Sequence, residues 1–274
     1  MTTGRISPTA FYTGQVWVRR GLSDARLGTR RGALLHAASA PLLFLGKLAG
    51  VAALDDVLHA RHTLIDDVLA RAIARGEAGQ IVEIAAGLSG RGVRLSRRHD
   101  VRYVEADLPP MVEEKRAMLA RAGLASSRLR LVPIDILAEH GPLSIASAIG
   151  PELDPSVGTA IVTEGLLSYF PIADVERLWS RVRALLAGGA GGVYVAEVYL
   201  SAEHDTVASS RVFRSLLGRF VRGKTHLHFA TGEDATKALR DAGFSDVTLH
   251  APAGRGRALV HVLEGHVRGA QRAP

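Results

Sequence analysis

The sequence predicts an α/β fold: a mostly parallel, seven-stranded sheet with helices on both faces and a helical cap or lid before it. Three observations predict this. From residue 80 onward, short β-branched runs alternate with helical stretches, the pattern of a parallel sheet covered on both sides. Residues 1–75 carry helical spacing instead, so they read as a separate helical lid, with 76–274 as the ligand-binding unit. The first apolar run, Ile81, Val82 and Ile84, ends in Ala-Ala-Gly-x-x-Gly, small residues that let another group approach the backbone at a strand tip.

The elements follow in order. GALLHAASAPLLFLGKLAG and LDDVLHARHTLIDDVLARAIARG are helical, the second carrying Leu54, Val57, Leu58, Leu64, Ile65, Val68 and Leu69 on one face until Gly76 and Gly79 stop it. Strands are expected at 80–86, 101–106, 129–133, 159–164, 192–199, 245–250 and 257–263, the last two joined by a PAGRG hairpin loop. Helices are expected at 110–122, at 171–187 started by Pro171 near its first turn, and at 231–242 with Thr231 as N-cap and Asp234 three residues on. Residues 136–158 read as a loop, and 200–228 as an inserted substrate cover containing a helix at 202–222.

Composition narrows the function classes. With no cysteine there is neither a disulfide framework nor a thiolate metal site. The formal charge of +7 comes from 34 basic residues, nearly all arginine and scattered along the chain. Aromatics make up 5% of the chain and do not alternate with the basic residues, so the charge reads as a solvated surface and nucleic acid is not expected as a partner. The longest uncharged stretch, Gly32 to Gly46, falls short of the roughly 20 apolar residues of a membrane span. The N-terminus lacks the features of a secretory signal, so a cytoplasmic location is expected.

In an open parallel sheet, ligands bind beyond the carboxyl ends of the strands. Four consecutive strands bring carboxylates there: Glu83, Asp107, Asp135 and Glu164. A glycine turn followed twenty residues later by an acid, Gly87 to Asp107, is the spacing for a nucleoside whose ribose hydroxyls donate to the carboxylate. A nicotinamide dinucleotide needs G-x-G-x-x-G for its pyrophosphate, and Ala85 occupies the first position. S-adenosylmethionine carries a sulfonium and an ammonium and no phosphate, so a site rich in carboxylates suits it better.

With these residues placed, the chain resembles the leucine carboxyl methyltransferase family of class I S-adenosylmethionine-dependent enzymes, which have a Rossmann-like fold. Within that family it is similar to the branch of the tetracenomycin polyketide carboxyl O-methyltransferase. The resemblance rests on ARHTLIDD at 60–67, QIVEIAAGLSGR at 80–91, YVEADLPPMVEEKR at 103–116 and VTEGLLSYFP at 162–171, with ID at 134–135 and DAGFSDV at 241–247. It implies that Arg61, which periodicity alone would leave as an exposed helix charge, contacts the cofactor's carboxylate. It also implies that Ala85 and Gly87 line the methionine side, that Asp107 with Leu108 holds the ribose, that Asp135 and Ile136 sit by the adenine, and that Glu164 lies near the ammonium. The family commonly shows Gly-Ala-Gly-Leu-Asp where this chain has Ala85-Ala86-Gly87-Leu88-Ser89, so the turn is bulkier and lacks a carboxylate at Ser89.

The leading expectation is O-methyl transfer to a small hydrophobic or aromatic acceptor, a polyketide-like carboxylate first. S-adenosylmethionine is the expected cofactor and S-adenosylhomocysteine the product. An ionised carboxylate needs no general base, whereas a phenol does. His226 and His228, two positions apart after the inserted helix, are the candidate bases, and with no third ligand evident no metal is expected. Phe11, Tyr12, Trp17 and Phe44 are candidates for the lid. Methylation of a protein C-terminus, a nicotinamide-dependent oxidoreductase and a non-catalytic cofactor-binding protein stay open as alternatives, as does the oligomeric state.

Overall fold

The computed structural model describes residues 8–48, 54–206, 225–252 and 260–270, leaving aside the side chains at 41–48 and 204–206. Three helices come first: α1 (Pro8–Arg19), α2 (Arg30–Leu48) and α3 (Leu54–Ala74). In α3, Leu54, Val57, Leu58, Ile65, Val68, Leu69 and Ala72 are buried at helical spacing. Its first turn carries Asp55 and Asp56 and its last turn Arg71, which suits the helix dipole at both ends.

The sheet comprises β1 (Gln80–Ile84), β2 (Arg102–Asp107), β3 (Leu129–Pro133), β4 (Thr159–Thr163), β5 (Gly191–Val198), β6 (Ser245–His250) and β7 (His261–Arg268). Their spatial order is β3-β2-β1-β4-β5-β7-β6; β7 runs antiparallel to both neighbours and the other pairings are parallel. The order reverses between β1 and β4, which makes their carboxyl ends the place to look for a ligand. Between the strands lie α4 (Arg91–Arg98), α5 (Pro109–Ala122), α6 (Ile145–Ile149), α7 (Ile172–Ala187), α8 (Ser201–Thr206) and α9 (Gly232–Asp241).

Each face of the sheet has its own core. Val82, Ile84, Val104, Ile161 and Tyr194 pack with α6, α7 and α9 around fully buried Trp179. On the other face Ile81, Tyr103, Val162, Val193 and Val195 pack with α1, α3, α4 and α5. Helix ends follow local chemistry. Pro109 opens α5 and Gly123 closes it at φ +63°, and Thr231 with Asp234 forms a reciprocal capping box on α9.

The sequence expectations need adjustment at two places. Within the expected loop, Ser144 caps the short helix α6 by accepting from the Ser147 amide. The last strand runs over His261–Arg268 where 257–263 was expected, because its buried positions include His261 and Glu264, which hide the apolar alternation. Residues 253–259, with most of the expected hairpin loop, lie outside the described residues, as do residues 207–224 of the inserted segment. Of the aromatic lid candidates, Phe11, Tyr12 and Trp17 are buried in the packing of α1, and the Phe44 side chain lies outside the description.

Candidate cofactor and acceptor site

The turn after β1 is built on two left-handed residues, Ala85 at φ +57° and Gly87 at φ +53°. For an alanine this conformation costs about 1–2 kcal/mol, a strain that glycine would not carry. Asp107, the last residue of β2, reaches across: its Oδ2 accepts from the Gly87 N–H at 2.7 Å and its Oδ1 from the Leu108 N–H at 2.7 Å. A carboxylate has about four lone-pair sites, so each oxygen keeps one for a further donor. Burial pushes the Asp107 carboxyl up, against the opposing effect of the two amides. Helix α1 packs onto the turn, with Gly14 against Leu88.

Beneath the turn lies a buried ion cluster centred on Arg91, which is fully buried. Its Nε donates to Asp66 Oδ1 at 2.7 Å, Nη2 to Glu164 Oε2 at 2.5 Å, and Nη1 to Glu83. Arg61 Nε donates to Glu164 Oε1 at 2.9 Å and Nη1 to the Tyr199 hydroxyl at 3.1 Å. His62 Nδ1 lies 2.9 Å from Glu164 Oε2, and Arg94 Nη2 donates to Asp66 at 2.5 Å. Burial alone would raise the Glu164 carboxyl, yet His62, Arg91 and Arg61 together hold it well below the usual carboxylate range.

A further carboxylate, Glu105, stands beside Glu83 in the sheet. Lys115 stands 2.8 Å from Glu105 and also donates to the Ser89 carbonyl, so it ties α5 to the turn. Gly92 gives Glu105 its room, since a Cβ there would fall 2.5 Å from Oε1. Burial lifts the Glu105 carboxyl to about 7 against the pull of Lys115. Ser89, where the family commonly has a carboxylate, is buried, and its Oγ accepts from the Arg91 N–H at 3.1 Å.

Of the residues expected from the sequence, the fold brings Ala85, Gly87, Asp107, Leu108 and Glu164 to the switch-point end of the sheet, with Arg61 against Glu164. Asp135 and Ile136 follow β3 at the next tip, where Asp135 Oδ1 accepts from the Leu137 N–H at 2.9 Å. Leu108 and Leu137 are 54% and 50% exposed, an unusual pair of open apolar side chains beside the two acids. Glu83 departs from the expectation. It lies inside β1, and its oxygens accept from Arg91 and from the Tyr103 hydroxyl at 2.7 Å, so it supports the turn from below.

His226 and His228 stack with ring centroids 5.8 Å apart, and His228 Nε2 donates to the Leu167 carbonyl at 3.2 Å. Burial lowers the His228 imidazole, which keeps it neutral. Among the described residues no group of three His, Asp or Glu side chains is arranged to hold a metal. Sequence reasoning missed Arg91, Lys115, Glu105, Glu197 and Tyr199. For Glu105, Glu197 and Tyr199 the available signal was a charged or phenolic residue in an otherwise apolar run, as in YVEA at 103–106 and VAEVY at 195–199; Arg91 and Lys115 lie on helices and carried none.

The sequence pattern of the leucine carboxyl methyltransferase family matches residues 34–183, more than half of the chain and all of the turn, Arg61, Asp107 and Glu164. The chain belongs to that family. It is 38% identical over 141 residues to a proposed S-adenosyl-L-methionine-dependent methyltransferase of Mycolicibacterium gilvum, a match covering 51% of this chain and 44% of that protein. The match thus spans less than half the length of that relative. Among solved structures, a proposed methyltransferase of Thermobifida fusca superposes with a TM-score of 0.61 at 14% identity, covering 93% of this chain and 94% of that one. The magnesium protoporphyrin IX methyltransferase of Synechocystis, with S-adenosylhomocysteine bound, superposes at 0.52 and 15% identity over 77% and 85%. At these identities the likeness is one of fold: a Rossmann-like methyltransferase sheet.

S-adenosylmethionine is the cofactor of this family's chemistry, and the residues present fit it. Asp107 has acceptor sites left for a vicinal diol, Leu108 and Leu137 offer apolar surface beside the next acid, and Arg61 and Glu164 bring both signs of charge to the other side of the turn. Among the described residues no helix is long and apolar enough to cross a membrane.

Proposed function

We propose that the protein is an S-adenosylmethionine-dependent O-methyltransferase whose acceptor is a small hydrophobic or aromatic molecule, a polyketide-like carboxylate first. The observation that carries the reading is the Asp107 carboxylate, fixed on the Gly87 and Leu108 amides with acceptor sites left over, at the switch point beside Arg61 and Glu164. Asp107 accepts the ribose hydroxyls. Asp135, Ile136, Leu108 and Leu137 flank the adenine, while Ala85 and Gly87 lie along the methionine chain. Arg61 faces the cofactor's carboxylate and Glu164 its ammonium. Glu83, Arg91 and Lys115 hold the turn and α3 in place.

When bound, the cofactor supplies an already activated methyl group, so the protein's work is to align an acceptor oxygen with it and exclude water. An acceptor carboxylate is ionised at neutral pH and needs no base. A phenolic acceptor is the second reading. It is favoured by the neutral His228, whose Nδ1 remains an acceptor while Nε2 is engaged by Leu167. Titration with S-adenosylhomocysteine, followed by a screen of aromatic acids against matched phenols, tests both parts. Binding without turnover of any acceptor would leave a cofactor-binding protein in place of an enzyme.

A further inference from the structure

Glu197 is a buried carboxylate that neither the turn nor the Arg91 cluster uses. It stands one residue beyond the Thr163–Ala196 pair on β5, just as Glu164 stands one beyond it on β4, so the two acids are neighbours at the tips of adjacent strands. Their surroundings differ. Glu164 has Arg61, Arg91 and His62 as partners. Glu197 is 1% exposed, its Oε1 accepts from the Gly165 N–H at 2.8 Å, and its Oε2 has no hydrogen-bond partner.

The groups around it are Arg61 on α3, Glu164 and Tyr169 after β4, Tyr199 just past the end of its own strand, and apolar Val262 across on β7. Arg61, the cation that acts on it, donates to Glu164 and Tyr199. A buried anion with no donor on one oxygen is costly, so the favoured form is the neutral acid, whose O–H needs an acceptor. Burial lifts the carboxyl to about 7, with Arg61 opposing and Glu164 reinforcing the rise. A neutral acid beside a guanidinium gives this spot donor character, which suits an anionic oxygen and disfavours an amine.

We propose that Glu197, as a neutral carboxylic acid, donates its Oε2 hydrogen to one oxygen of the acceptor's carboxylate and thereby selects carboxylate acceptors over hydroxyl and amine acceptors. The inference rests on the carboxyl O-methyl transfer reading and names the group that sets its acceptor class. The acceptor's other oxygen forms the new C–O bond as the methyl–sulfur bond breaks and sulfur keeps the electron pair. The Glu197 proton stays on Oε2, so charge and protons balance without a base.

The test uses the full chain saturated with S-adenosylhomocysteine and 1-naphthoate as probe, titrated calorimetrically on either side of neutrality. Affinity for naphthoate is expected to fall, approaching tenfold per pH unit, as Glu197 ionises. Glu197→Gln keeps Oε1 on the Gly165 amide and presents a permanent N–H donor, so it should hold naphthoate at alkaline pH where the natural protein releases it. Glu197→Ala should weaken naphthoate binding at least about tenfold, the value of one lost hydrogen bond to a charged group. Absent naphthoate binding, affinity that rises with pH, a Gln variant as impaired as the Ala variant, or an Ala variant that binds naphthoate normally would each overturn the proposal. Failure of the methyltransferase reading shows separately, as a natural protein that does not bind S-adenosylhomocysteine before any acceptor is added. Naphthoate methylated equally well by the Ala variant would overturn the role of Glu197 and leave that reading standing.

Discussion

In its middle, α3 brings Arg61, His62 and Asp66 against the tips of β1 and β4. Just past its C-terminal end, Arg75 reaches Glu264 on β7, on the same face of the sheet. Both contacts tie one helix to one sheet through charges, but their settings differ. Arg91 and Glu164, at the heart of the first, have side chains 0% and 3% exposed. In the second, Arg75 is 43% and His250 is 21% exposed, although Glu264 between them is nearly buried. A buried ion network is costly to break because each lost partner strands another charge away from water, whereas water takes over when a surface pair is cut. The first contact fixes geometry at the turn after β1, and the second only fastens the helix.

The largest expected effect comes from removing the central cation. Arg91→Met leaves Glu83, Asp66 and Glu164 short of a partner and should lower unfolding stability by about 3–5 kcal/mol in urea titrations. A loss under about 1 kcal/mol would put the two ends of α3 on the same footing and break the comparison.

Glu264→Gln probes the other end through pH. Burial would raise the Glu264 carboxyl, but hydrogen bonds from His250 and His266 hold it far below the usual range, and its own hydrogen bond raises His266. The Glu264 contribution is present above the ordinary carboxylate value and is lost as pH falls through the depressed one. The His266 contribution is complete below the ordinary imidazole value and is lost as pH rises through the raised one. The stability difference between the natural protein and the variant should therefore be greatest between about pH 4.3 and 6.5 and shrink on either side. Its size should be about 1 kcal/mol, since water screens these partly exposed histidines. A difference independent of pH would show that packing alone fastens this end. The smallest effect is expected for Arg75→Ala, about 0.2–1 kcal/mol and smaller still in high salt.

The same contrast explains what could be read in the sequence. The strand and helix alternation was legible because most strand positions are apolar on both faces, as in β1 and β4. The strand-end placement of Gly87, Asp107, Asp135 and Glu164 was legible too, since a glycine or an acid closes each apolar run. The inner cluster was not. Arg91 and Lys115 read as ordinary helix charges, and only the fold turns them inward to meet Glu83 and Glu105 from other elements. Glu197 was hidden in an apolar strand for the same reason, and Glu264 with His261 and His266 blurred the last strand enough to displace its expected bounds.

The most direct test of the central claim, that the turn and Asp107 hold S-adenosylmethionine, is calorimetric titration of the natural protein and Asp107→Ala with S-adenosylhomocysteine. The account predicts binding by the natural protein, weakened about ten- to a hundredfold in the variant, as expected for losing hydrogen bonds from a ribose diol to a charged acceptor. Equal affinity in the two proteins, or no binding to the natural one, would contradict it.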